Sequence, residues 1–478
     1  MTARSKLEWF CRTLTSMAFV ALFGIGQCMA QNPGGAPAQS DPEALKKPEI
    51  LAAFSGQQSP NFFAAAENFW PPDSNVPGSP STPAKKRGSM MDRVRDRDRK
   101  FPERDNRTAI EIVKHVNAIF GGLEQGAGLG LGIELTTADA IPGIEFRATI
   151  LTSSILYKRF EGEAYIPKVG DEKTHADFWY GYLRRTEDNF FGIGAFAPLS
   201  GQTDFDVERR SIIGGLYRDF AKSFQAGIYV SYINSDAYGG QDTQVASIDT
   251  VFSNNPSVVP LNLWTPGLHS GSKIVTYGLF GEYDRRNYEH GLTKGFYIYG
   301  RFGSVDGLKG GNGIFSDYGW SDSQFDARGY IPLFSNKTSL AIRVAADLKD
   351  PKGGSQIPFY DLSYLGGFSH VRGFNTYRYR GNNVLIGNVE LRQTVFSFKK
   401  EHRGIDLIGF GDAGQVWGDN RSTTDPTILG NNLFGSRNWR AGIGGGVQYR
   451  HTKGLVARFD VATSQDGPRM YVSVSRGF

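Results

Sequence analysis

Phe224-Gln225-Ala226-Gly227-Ile228-Tyr229-Val230-Ser231-Tyr232 alternates with period two: Phe224, Ala226, Ile228, Val230 and Tyr232 fall on one side, and Gln225, Gly227, Tyr229 and Ser231 on the other. Side chains in an extended strand alternate between faces, so such a stretch buries or greases one side only. The pattern recurs along the chain. Sixteen strand candidates can be drawn, near 127–136, 142–153, 157–166, 176–185, 189–198, 205–217, 222–233, 272–284, 292–303, 317–329, 337–348, 383–396, 404–412, 438–449, 455–463 and 469–478. An even number is what a single-chain bacterial membrane barrel requires. The long connections, about 234–271, 349–382 and 413–437, all follow odd-numbered strands, so with the first strand rising from the periplasm every long loop falls outside the cell.

Composition agrees with a barrel and excludes its rivals. No stretch after residue 30 approaches the roughly 18 to 20 consecutive apolar residues of a membrane-spanning helix. The chain is nevertheless rich in aromatics and glycine, with 34 Phe, 21 Tyr and 60 Gly. Residues 1–30 read as an export signal: Arg4, Lys6 and Arg12 precede the apolar run from Met17 to Ile25, and Ala30 closes a small-residue cleavage pattern. Cys28 offers lipoprotein acylation as the alternative, but Gln27 fits poorly beside it. Cys11 and Cys28 are the only cysteines, so the chain beyond the signal is no disulfide scaffold. Three of the 53 basic and one of the 48 acidic residues lie in the signal, leaving 50 against 47 and no reason to invoke nucleic acid.

Between the signal and the strands lies a different kind of chain. Residues 31–107 read as a disordered tether: 11 of the 22 prolines fall between 31 and 102, and Lys85 to Arg107 carries ten basic and five acidic residues. The mixed charge suits a solvated tether, with contact to anionic lipid head groups as the sharper alternative. Phe62 to Trp70 is an apolar island that could dock on a periplasmic partner. Thr108-Ala109-Ile110-Glu111 forms a capping box, and Ile110, Val113, Val116 and Phe120 recur near helical spacing. These residues predict an amphipathic helix over 108–120, lying on the periplasmic rim or plugging the lumen. The barrel is expected over 125–478, and its first strand carries Gly126, Gly128, Gly130 and Gly132, which mark a weakly held edge against a last strand ending in Phe478.

One loop stands apart. Leu365-Gly366-Gly367-Phe368-Ser369-His370-Val371-Arg372-Gly373-Phe374 sets an arginine among glycines and aromatics in a long polar connection. Two later strands offer acceptors on the face turned away from the apolar one: Gly387-Asn388-Val389-Glu390-Leu391-Arg392, and Phe410-Gly411-Asp412-Ala413-Gly414. The loop is expected to fold back into the barrel, with Arg372 meeting Asp412, Glu390 or both.

The ordered set of Val371-Arg372-Gly373-Phe374, Gly-Asn-x-Glu-Leu-Arg and Phe-x-Asp-x-Gly resembles the BamA/TamA superfamily of outer-membrane barrels, whose C-terminal module is also called the bacterial surface antigen domain. The resemblance implies an all-β, closed antiparallel barrel in the bacterial outer membrane that inserts, assembles or translocates polypeptides. It also implies partners: client polypeptides, outer-membrane lipids including lipopolysaccharide, and no cofactor. Family members commonly carry periplasmic polypeptide-transport-associated domains, which the aperiodic 31–107 segment is not expected to supply. A passive pore that keeps the fold is the alternative function. Catalysis finds no support, since the seven histidines lack zinc-binding spacing and no serine has the glycines of a nucleophile elbow.

Overall fold

The structure is a computed structural model that describes residues 116–476, apart from 121–129, 309–317, 419–437 and a few shorter turn segments. The export signal, the tether, the 108–115 part of the expected helix, Gly126, Gly128 and Phe478 lie outside the described residues.

Among the described residues sixteen strands follow one another in a single antiparallel sheet, to which the short pieces Ala246–Ser247 and Asn287–Glu289 add: β1 (Val116–Phe120), β2 (Gly130–Ile141), β3 (Ile144–Ser153), β4 (Lys158–Ile166), β5 (Thr174–Phe190), β6 (Thr203–Ala221), β7 (Phe224–Gly239) and β8 (Ser272–Asp284) are the first eight. They are followed by β9 (Leu292–Gly307), β10 (Gly319–Leu333), β11 (Thr338–Pro351), β12 (Asn383–Phe398), β13 (Arg403–Trp417), β14 (Trp439–Arg450), β15 (Leu455–Ser464) and β16 (Gly467–Arg476). Each pairs antiparallel with the next in sequence, an up-and-down order that needs only hairpin connections. β1 and β16 are the end strands, and no ladder joins them among the described residues.

Burial runs opposite to that of a water-soluble sheet. On β7 the aliphatic side chains Ile228 and Val230 are 53% and 52% exposed, whereas Tyr229 and Ser231 are 8% and 2% exposed. The same outward belt carries Leu131, Ile150, Phe178, Leu216, Leu279, Phe302, Leu391, Leu407 and Ile443. A continuous apolar exterior around a polar interior is the surface of a barrel solvated by lipid.

Two departures from the sequence reading cancel. Val116–Phe120, expected as the end of a helix, is a strand paired with β2 from Val116↔Leu135 to Phe120↔Leu131. Its β-branched and aromatic residues suit a pleated surface, and the free edge of β2 offers the backbone partners that an isolated short helix lacks. The glycine-bearing β2 is therefore an interior strand and not the edge. Conversely, 176–185 and 189–198 are not two strands. β5 runs unbroken through the expected break at 186–188 by absorbing extra residues in a bulge between Arg185 and Asp188 with Glu187 at φ 60°. One strand gained and one lost leave the count at sixteen, so the long loops still follow odd strands.

The outer half of the lumen is filled by connections. The segment between β7 and β8 and the start of the β11–β12 connection fold inward, placing Phe252, Leu268, Ile357, Phe359, Tyr360 and Leu362 against Phe190, Phe205 and Ile233 of the wall. Phe359 lies edge-on to Phe190 and Phe205, at 5.1 and 4.9 Å between ring centroids.

Candidate functional site: an inward-folded loop on a charged wall

The connection from β11 to β12 is pinched at its neck. Ser363–Leu365 pairs with Tyr379–Gly381, and the lobe between them turns at Gly366, Gly367 and Gly373, with φ of 116°, 91° and 97°. Inside the lobe Val371 and Phe374 are fully buried with Leu365, Tyr379, Val384, Ile386 and Val416. Apolar packing on either side of Arg372 thus aims the guanidinium at the wall.

The wall meets it with three carboxylates. Arg372 Nε donates to Asp412 Oδ2 at 2.6 Å and Nη2 to Asp412 Oδ1 at 2.7 Å, a bidentate pair, while the Arg372 backbone amide adds a third bond at 3.1 Å. Nη1 donates to Glu390 Oε1 at 2.6 Å and to Asp460 Oδ2 at 3.3 Å. Arg458 bridges Glu390 and Asp460, and Arg392 holds the other oxygen of Glu390 at 2.6 Å. Three cations face three anions, so the buried network is neutral. The guanidinium also stacks 3.5 Å from the ring centroid of Phe410. Burial opposes the charge on Arg372, but Asp412 and then Glu390 outweigh it and hold its pKa above the usual arginine value.

Backbone contacts finish the dock. Tyr471 of β16 accepts from the Gly373 amide at 2.7 Å and donates to the Phe374 carbonyl at 3.1 Å, and Ser464 donates to the Gly373 carbonyl at 2.7 Å. Asn388 ties the His370 carbonyl to Asp412 at 2.6 and 2.9 Å.

Of the residues singled out in the sequence, Val371, Arg372, Gly373, Phe374, Glu390, Phe410, Asp412 and Gly414 come together here. Gly414 leaves room for the loop, since a Cβ there would lie 2.3 Å from Leu365 Cδ1 and 3.0 Å from Val371 Cγ2. Gly130 and Gly132 lie on β2, remote in the ladder order from this wall.

Asp460, Arg458 and the glycines of β14 were not anticipated as parts of the dock. Asp460 has the same inward parity as Asp412 two strands away, which is the signal that could have found it. Gly442 and Gly446 alternate on the lumen face, where a Cβ would lie 1.8 Å from the Arg372 carbonyl oxygen and 2.0 Å from Asp460 Oδ1 respectively. The run Gly442-Ile443-Gly444-Gly445-Gly446 is thus a groove cut in the wall for the loop tip.

Residues 272–473 match the Omp85 superfamily domain, a span that contains the loop and all three acceptor strands. Among solved structures, BamA from Haemophilus ducreyi lacking POTRA domains 1–3 is similar over 75% of this chain and 69% of that chain, at 16% identity and a TM-score of 0.54. CdiB from Escherichia coli is similar over 75% of this chain and 61% of that one, at 13% identity and a TM-score of 0.49. The sixteen-strand sheet, the docked loop and the domain match agree on the fold: the chain has a BamA-like barrel fold, within which residues 272–473 match the Omp85 superfamily domain.

Proposed function

We propose that this barrel inserts or translocates client polypeptides at the outer membrane, using the end strands β1 and β16 as a seam. The observation that supports the reading best is the Omp85 superfamily match over residues 272–473, the span that holds the docked loop and its acceptor strands, in a sheet whose ladder begins at β1 and ends at β16. Unpaired backbone groups in hydrocarbon each cost several kcal/mol, so an incompletely satisfied edge gives a client strand somewhere to pair. The docked loop would brace the opposite side of that seam, since Tyr471 and Ser464 tie its tip to β16 and β15. Lipopolysaccharide and other lipids are its surroundings in this reading, and the tether is a candidate arm for a periplasmic partner.

A passive pore is the other reading, and the aromatic plug in the outer half of the lumen speaks against it. The test is a disulfide staple. Cysteines in β1 and β16 crosslink if their Cα atoms come within about 7 Å. The stapled barrel should lose client insertion, recovered on reduction, and the outer-membrane proteome should change as it does without the protein. Full insertion by a fully stapled barrel would sink the seam.

A further inference from the structure

Three arginines of this connection are buried, and Arg380 differs from Arg372 and from Arg378, which is paired with Asp466 at 2.6 Å, in its circumstances. Arg380, in the short strand Tyr379–Gly381, is 0% exposed, and so is Arg185 of β5 beside it. Both guanidinium groups stack on Tyr377, at 5.2 Å for Arg185 and 4.6 Å for Arg380. Arg185 is paired: it meets Asp188 at 2.8 Å and donates to the Tyr377 hydroxyl at 2.8 Å. Arg380 has one long bond, from Nη1 to the Phe359 carbonyl at 3.5 Å, and a distant stack on Phe205 at 5.8 Å. Among the described residues its Nε and Nη2 meet no acceptor.

Those two nitrogens form the side-on fork of a guanidinium. The same edge binds Asp412 in Arg372, Asp406 in Arg450 and Asp460 in Arg458. Two cations with Asp188 as the near carboxylate leave one positive charge in a dry place, a cost that proteins normally offset with a counter-charge. Burial pushes the Arg380 guanidinium down to about 10, with Asp188 and Tyr377 acting against the fall and Arg185 adding to it.

We propose that Arg380, with Arg185 and Tyr377 around it, forms an oxyanion-binding site in the outer half of the lumen, taking a small phosphate- or sulfate-like anion on its Nε–Nη2 fork. The fork matches two oxygens of such an anion. The Gly194 amide donates to the Arg380 carbonyl at 2.7 Å, so this anion would fix the β5–β6 connection and the loop neck together. The site is independent of what passes the seam.

Equilibrium dialysis of radiolabelled inorganic phosphate against the folded full-length protein in detergent tests the site. Saturable binding of one phosphate per chain is expected, competed by sulfate and not by equal ionic strength of chloride, and weakened about tenfold or more in Arg380→Met. Absence of saturable binding to the wild type, or unchanged binding in folded Arg380→Met, would overturn the proposal. If Arg380→Met fails to give the heat-modifiable folded form, Asp188→Asn decides. Removing the competing carboxylate should tighten phosphate binding several-fold, and no tightening would overturn the site. Displacement of the label by lipopolysaccharide at concentrations far below those of unlabelled phosphate would show a lipid site and overturn the proposal.

Discussion

The two ends of the β11–β12 connection are buried in the same lumen by opposite chemistry. At the tip, Arg372 is held by Asp412, Glu390 and Asp460 in a neutral ionic network. At the base, Ile357, Phe359, Tyr360 and Leu362 fill an aromatic plug against β5, β6 and the β7–β8 connection. Apolar burial is additive in area, so the base should yield by degrees. A buried ionic network is cooperative: remove one member and the desolvated remainder is worse than nothing. The tip is therefore a latch and the base a plug.

The largest effect is expected at the latch. Asp412→Ala leaves Arg372 without its bidentate partner, at about 3 to 5 kcal/mol if the site stays dry and less if water enters. The loop should be expelled while the barrel persists, seen as new protease cleavage within 365–378 at the cell surface and unchanged heat-modified gel mobility. Arg372→Ala should match it, and the double variant should be little worse than either, because the residues are coupled. Arg372→Lys keeps the charge but loses the fork and should behave like Ala. Full additivity of the two alanine changes would reduce the latch to independent contacts.

The plug should answer in proportion to what is removed. Phe359→Ala is expected to cost about 3 kcal/mol and Ile357→Val about 1 kcal/mol, the range for truncations that leave a cavity. Both should appear as a graded loss of protection around residues 355–362, measured by limited proteolysis. A conservative change that is mild here and severe at Arg372 would establish the contrast; equal severity would erase it.

How much of this was readable beforehand follows from the same physics. Strands from β6 onward could be placed because lipid on one side and lumen on the other impose strict alternation, as in Phe224 to Tyr232. Arg372, Glu390 and Asp412 could be joined because a charge on an otherwise greasy loop needs a carboxylate of inward parity. Asp460 escaped because Arg458, two residues away on its own strand, already supplied an adequate partner. Val116–Phe120 misled because its spacing fits a helix as well as a strand, and only the backbone edge of β2 decides between them. Arg380 gave no sign at all: whether a loop arginine is solvated or buried against Tyr377 depends on the fold of the neck, which no local pattern records.

The smallest effect should arise at the junction of latch and plug. His370 lies edge-on to Tyr364 at 4.3 Å between ring centroids, and Tyr364 in turn meets Tyr377 at 4.5 Å. Burial, and then the neighbouring Arg343 guanidinium, push the His370 pKa down to about 3, with a backbone hydrogen bond at Gly366 and the Asp326 carboxylate acting the other way. In an expelled loop the ring would titrate near its ordinary value of about 6.5. The docked state therefore disfavours the proton. Docking is fully supported above about pH 6.5 and weakens as pH falls toward 3, by at most about tenfold per pH unit for one proton. On acidification from pH 7.5 to 5, cleavage within 365–378 should quicken several-fold, and by more than cleavage in the 355–362 region, whose hold is chiefly apolar packing. His370→Gln should flatten the response. Equal protection of the wild-type tip at pH 7.5 and 5, or a fall that survives His370→Gln, would mean that the latch takes no part of its hold from a neutral ring at this junction.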